Sequence, residues 1–155
     1  MDIQTMAWPV RAGHVTVDSM VMPRSGAVRI ASANIRVPRE EFLTIWGEAS
    51  RRESELAEHD ATDWYVAAVA QTCRWMAATP MRTALCGGLP RSPVTRRSSL
   101  ARAESIEAEW QAAQRPDQYS PDLAARPGWC EGVRATFRWA WCRQGPPPIE
   151  ESYSA

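Results

Sequence analysis

The chain has 155 residues, no net charge, 45% hydrophobic and 23% charged residues, the proportions of one ordinary globular domain rather than of a disordered or membrane-embedded chain. Its longest apolar run, Trp64 to Ala70, spans seven residues against the roughly 18–20 a membrane span needs, and Met1-Asp2-Ile3-Gln4 carries an early acid with no apolar run behind it, so neither a membrane anchor nor a secretory signal is read. A cytoplasmic location with free thiols is the resulting expectation. All eighteen basic residues are Arg and Asn occurs once, at Asn34, which reads as the codon bias of a high-GC genome, so that an Arg here need not have been selected over Lys for bidentate chemistry.

Residues 1–37 alternate over His14-Val15-Thr16-Val17 and Ala27-Val28-Arg29-Ile30, with Pro23-Arg24-Ser25-Gly26 between. They are expected to form a β-hairpin or an extended arm that orders on a partner. From Pro38 the period becomes helical. Pro38-Arg39-Glu40-Glu41 supplies a first-turn proline and acids at the positive dipole end. Phe42, Ile45, Trp46, Ala49, Leu56 and Ala57 form one apolar stripe, ending near His59.

Asp60-Ala61-Thr62-Asp63 is a stop and restart, with Asp60 or Thr62 as the expected cap. The next helix, Asp63 to about Ala78, is apolar nearly all round, from Trp64 and Tyr65 to Trp75 and Met76, and a helix without a polar face belongs at the centre of a fold. Proline and glycine then make residues 79–97 a loop. Ser98 or Ser99 is expected to cap a helix to about Gln114, with Leu100, Ala103, Ile106 and Trp110 facing in and Glu104, Glu107 and Glu109 facing mainly out. Ser120-Pro121-Asp122 predicts a short helix over Leu123-Ala124-Ala125. A last helix from about Pro127 carries Trp129, Val133, Phe137, Trp139 and Trp141, and Gly145-Pro146-Pro147-Pro148 ends it, leaving a peripheral tail. The fold class expected is mainly α: four to five helices bundled around a buried central one, as a helical domain over 38–145 between an N-terminal arm or hairpin (1–37) and a proline-rich tail (146–155).

Thr72-Cys73-Arg74-Trp75 in the central helix is echoed by Thr136-Phe137-Arg138-Trp139 in the last, each after an earlier Trp, Trp64 and Trp129. Two helices sharing a pattern can pack as a pseudo-symmetric pair, although repeat architectures normally carry three copies or more.

The zero net charge hides blocks. Residues 38–63 carry three Arg and eight acids, residues 64–103 six Arg and no acid, residues 104–125 one Arg and five acids, and residues 126–149 four Arg and one acid. Arg91, Arg96, Arg97 and Arg102 are therefore candidate contacts for phosphate or an acidic protein. Pairing with the helix that begins at Glu40, or with Glu104, Glu107 and Glu109, is the bland alternative, worth only ~0–1 kcal/mol per surface pair.

No catalytic or metal centre is read. Cys73, Cys86, Cys130 and Cys142 are separated by 12, 43 and 11 residues, not by the two to four of paired zinc ligands. His14 and His59 share no element, and no Walker loop, Gly-x-Gly-x-x-Gly or His-Glu-x-x-His occurs. Cys86-Gly87-Gly88 is the most reactive-looking thiol, and Glu53, close to the apolar stripe, would need a partner such as Arg74 if buried.

Gly128-Trp129-Cys130-Glu131-Gly132-Val133, Thr136, Arg138-Trp139-Ala140-Trp141 and Gly145-Pro146-Pro147-Pro148, together with Asp63-Trp64-Tyr65 and Arg74-Trp75, resemble a pattern in small uncharacterised actinobacterial helical proteins. The likeness covers the last and central helices and implies no activity.

The expectation for function is a non-enzymatic interaction subunit or small regulator without a cofactor. It would dock on a protein partner or on itself through Trp8, Trp110, Trp139, Trp141 and Arg138, since exposed Trp and Arg are enriched at interface hot spots. The alternative is a nucleic-acid-binding regulator using Arg91, Arg96, Arg97 and Arg102.

Overall fold

A computed structural model describes residues 30–31, 33–79, 88–119 and 121–150. The arm or hairpin reading of the N-terminal segment, with Trp8 and His14, falls outside these residues except for its last few positions, and Cys86 falls outside them too.

The described residues are mainly helical: α1 (Arg39–Glu58), α2 (Trp64–Met76), α3 (Ala103–Gln114), a single turn α4 (Pro116–Tyr119), a 3-10 turn (Pro121–Ala125) and α5 (Trp129–Ala140). Helix α2 is packed between α1 and α5, and α3 lies against α5. From Val66 to Met76 every residue of α2 except Gln71 and Arg74 is buried, as a helix apolar on all sides requires. Trp75 is fully enclosed and meets Phe137 of α5 edge-on, centroids 6.3 Å apart. At roughly 25 cal/mol per Å2, an aromatic side chain of 150–250 Å2 contributes about 4–6 kcal/mol on burial.

Helix α1 buries Phe42, Ile45, Trp46 and Ala49, as its stripe predicts, whereas Leu56 is half-buried and Ala57 exposed. The helix stops at His59, whose N–H bonds back to the Leu56 carbonyl at 3.0 Å. Asp60 then turns the chain with φ +52°, a left-handed conformation that Asp tolerates better than most side chains. The cap of α2 is Asp63, neither Asp60 nor Thr62: its Oδ1 accepts from the amides of Tyr65 at 2.9 Å and Val66 at 3.2 Å.

The crossing of α5 over α2 depends on glycine. A Cβ on Gly132 would stand 2.6 Å from the Tyr65 carbonyl oxygen and 3.0 Å from the Ala68 Cβ. Along the same pair Thr72 and Thr136, both fully buried, each donate to the carbonyl four residues back, at 2.7 and 2.8 Å. The two halves of the sequence echo therefore lie on helices that touch.

Three further expectations are corrected. Helix α3 starts at Ala103 rather than at Ser98 or Ser99, with the Ser105 Oγ accepting from the Arg102 amide at 2.8 Å. Glu109 is 3% exposed rather than outward-facing. The segment after Gly145 is tied down as far as Glu150: Ile149 is buried, the Tyr65 hydroxyl donates to the Pro148 carbonyl at 2.9 Å, and Arg52 reaches the Glu150 carbonyl at 2.7 Å. Asn34 is buried as well, and its Nδ2 donates to the carbonyls of Met76 at 3.0 Å and Ala101 at 3.1 Å. One side chain thus joins the end of α2 to the approach to α3.

Candidate binding surface

Residues 91–98 form a tight loop closed by a single antiparallel bridge between Arg91 and Ser98. Inside it the Ser92 amide donates to the Arg97 carbonyl at 2.9 Å, and the Arg97 amide to Ser92 Oγ at 3.1 Å. Glu109 holds the loop from below. Its carboxylate accepts the Val94 amide at 2.7 Å and the Thr95 amide at 3.1 Å, and the Thr95 hydroxyl as well. Two further anchors come from helices: Gln71 Nε2 donates to the Arg91 carbonyl at 3.3 Å, and Trp129 Nε1 to the Pro93 carbonyl at 2.9 Å. So fastened, the loop keeps Arg96 at φ +60°, a strained state for a side chain with a Cβ that persists only when its surroundings over-determine it.

Beside the loop, the α1–α2 corner leaves a groove of about 340 Å3 with Leu56, Ala57 and Ala67 as apolar lining, Trp64 and Trp129 as aromatic lining, and Arg96 and Arg126 as cations. The Trp64 and Trp129 rings meet edge to face with centroids 6.3 Å apart, and the Arg126 guanidinium lies 5.1 Å from one centroid and 5.3 Å from the other. A guanidinium over indole gains ~0.5–2 kcal/mol and is thereby fixed in place. Burial, Arg126 and Arg91 together push the Arg96 pKa below its ordinary value, which Glu109 opposes. The groove also carries the carboxylates of Glu53 and Asp63 and the amide of Gln71. Glu53 stands 3.8 Å from Arg74, the partner the sequence suggests, and burial raises its pKa more than Arg74 lowers it.

The arginines are not neutralised in the way the bland sequence reading expects. Among the described residues, Arg91, Arg96, Arg97, Arg102 and Arg126 have no carboxylate at ion-pair distance and no side-chain hydrogen bond. Four acids are engaged elsewhere. Glu48 and Glu55 hold Arg51, Glu48 also holds Arg52, Glu41 accepts from the Trp139 indole at 3.1 Å, and Glu109 serves the loop.

The sequence-predicted residues scatter. Arg91 and Arg96 come together with Arg126, which sequence reasoning missed. Arg102 lines a separate depression with Leu89 and Leu100, and Arg97 is exposed. Trp139, expected at an interface, is 2% exposed and stacks on Phe42 with centroids 6.1 Å apart and planes 3° from parallel. Trp110 is half-buried against the core. Trp141 is half-buried, with the Arg36 guanidinium 5.5 Å from its ring centroid, and Arg138 is exposed. The one sequence signal for the Trp64–Trp129 corner is the echo, in which Trp64 precedes Thr72 by eight residues and Trp129 precedes Thr136 by seven, one position out of register.

Among the described residues no group of three His, Cys, Asp or Glu side chains is placed to hold a metal ion. Cys73 is fully buried, and burial pushes its thiol far above the ordinary range and that of Cys130 upward as well. No described helix is long and apolar enough to cross a membrane. No family model, curated protein or solved structure matches the chain.

Proposed function

We propose that the chain is a non-enzymatic binding protein, a small helical subunit or regulator that docks on an acidic partner protein through the face formed by Arg91, Arg96 and Arg126 beside Trp64 and Trp129. The observation that carries the reading is the groove that Arg96 and Arg126 line beside Trp64 and Trp129, with no described carboxylate at ion-pair distance from either guanidinium. An incoming acidic group supplies the missing ion-pair partner, and Trp and Arg are the side chains most enriched at interface hot spots. The test is affinity purification from the source organism with the parent chain and with Arg96→Asn, a substitution that removes the charge at a left-handed position Asn tolerates. A partner retained by the parent, lost from the variant and released by added salt supports the proposal. Identical capture by both chains overturns it.

A second reading, nucleic-acid binding through Arg91, Arg96, Arg97 and Arg102, draws on all four being exposed and without carboxylate partners. It predicts oligonucleotide affinity that falls steeply with salt and disappears in Arg96→Ala/Arg97→Ala.

A further inference from the structure

Resting on that proposal, we infer that the groove between the α1–α2 corner and the Arg96 loop is a receptor for one acidic–apolar element of a partner peptide: a single carboxylate received by Arg96 and Arg126, and a neighbouring aromatic or aliphatic side chain laid against Leu56, Ala57 and Ala67.

Three features select this occupant. The size is right, because about 340 Å3 is at the small end of ligand pockets and accommodates one or two side chains, not a folded surface. The lining is divided by chemistry, with apolar carbons and indole rings next to two guanidiniums, so a ligand must bring both an apolar body and an anion. The third feature decides between anions. Glu53 and Asp63 also line the groove, and Asp63 is fixed as the cap of α2. Two resident carboxylates cancel the formal charge of the two arginines, so the groove offers no excess positive charge for a repeating phosphodiester chain to follow, whereas a single carboxylate can pair locally with the guanidiniums. The cation pair is ready-made as well. Arg126 is held over two indole rings, so little of its side-chain freedom remains to be lost on binding, and Arg96 projects from a loop whose backbone is fastened from three elements.

The inference is tested on the full chain with a capped nonapeptide presenting Glu-Phe twice between Gly-Ser spacers. Its Gln-Phe and Glu-Ser counterparts, indole-3-acetate as a free small acid and a twenty-nucleotide oligo-dT complete the set. Binding is read from tryptophan fluorescence and from the Trp64 indole N–H resonance. The expected result is saturable binding of the Glu-Phe peptide that shifts Trp64. Each of the two counterparts and the oligo-dT should bind at least tenfold more weakly, and Arg96→Asn and Arg126→Gln should each lower peptide affinity at least tenfold while leaving the resonances of buried Trp75 unchanged. Equal or tighter binding of oligo-dT, or of indole-3-acetate, overturns the inference by making the groove a site for nucleic acid or for a small acid. No shift of Trp64 with any peptide overturns it too. If a partner is nevertheless captured from the source organism in an Arg96-dependent way, protein docking stands and only the assignment of the groove falls.

Discussion

Replacing Glu109 by Ala is expected to destabilise the fold by about 3–5 kcal/mol, a large share of the ~5–15 kcal/mol that holds a domain together. The magnitude follows from what the carboxylate accepts. The Val94 amide donates to it at 2.7 Å from a fully buried residue, and neither that N–H nor the half-buried Thr95 amide at 3.1 Å has another protein acceptor in the loop. A hydrogen bond to a charged group contributes ~1.5–3 kcal/mol, and a buried donor left unpaired costs about 1–3 kcal/mol. Two such amides and the Thr95 hydroxyl give the range, with water entering the vacated space as the main offset. Glu109→Gln keeps the volume and one acceptor oxygen but turns an NH2 group toward donors, so about 2–3 kcal/mol is expected. Urea unfolding gives the totals, and hydrogen exchange at the Val94 and Thr95 amides reports the loop itself. Both variants within ~0.5 kcal/mol of the parent, with Val94 exchange unchanged, would refute the view that this carboxylate holds the loop.

Phenylalanine replacements at Trp46, Trp75 and Trp129 separate ring packing from indole hydrogen bonding. Trp75 and Trp129 lose bonds to the carbonyls of Ser99 at 2.8 Å and Pro93 at 2.9 Å, while the buried Trp46 Nε1 has no partner to lose among the described residues. By urea unfolding, Trp46→Phe should cost ~1–2 kcal/mol less than either of the others, and equal losses would contradict the assignment. Gly132→Ala adds a methyl 2.6 Å from the Tyr65 carbonyl oxygen, so overpacking of ~1–3 kcal/mol is expected to exceed the ~1 kcal/mol gained in helix propensity. A stabilised Gly132→Ala chain would show that α5 can lift off α2 freely. Burial raises the Glu53 pKa, so folding is favoured while Glu53 is protonated and that contribution is lost as pH rises from its ordinary 4.5 through the higher folded value. Glu53→Gln should therefore lose less stability than the parent as pH rises through that window, compared in thermal melts at several pH values, and parallel profiles would contradict it. Cys73, fully buried with its pKa raised, should react with a thiol reagent only on unfolding and more slowly than Cys130, and reaction at the rate of an exposed thiol would show an open core.

The helices were legible because their signals are local. A stripe at three-to-four spacing and the acid-rich break at Asp60–Asp63 both lie within a few residues, and the all-apolar face of α2 announced its own burial. Glu109 shows where such reading fails. It stands three residues after Ile106 and four before Ala113, both fully buried, so its position is an inward one, yet its charge assigned it to solvent. What reverses that assignment is a set of backbone donors 14 and 15 residues earlier, which no periodicity can display. Arg126 was missed for the same reason, since its place is defined by two rings on different helices. Trp139 failed in the opposite direction: residue type suggested an interface, while stacking on Phe42 makes it core.

Charge blocks show that a zero net charge hides patches, but not which arginines go without a carboxylate partner. A total of zero suggests that acids and arginines cancel, but cancellation is a matter of distance, and a carboxylate that is accepting backbone amides or holding Arg51 does not neutralise a guanidinium on another face. The acid that Arg96 does feel, Glu109, is the one that fastens its loop, so the same carboxylate shapes the cationic surface and only partly offsets it. The aromatic side of the groove is likewise inseparable from the core. Gly132 lets α5 settle on Tyr65 and Ala68, the residues just beyond Trp64, and that close approach brings Trp129 onto Trp64 to make the corner in which Arg126 sits. The aromatic wall of the groove is thus an outer edge of the α2–α5 contact, set by the same packing that closes the core.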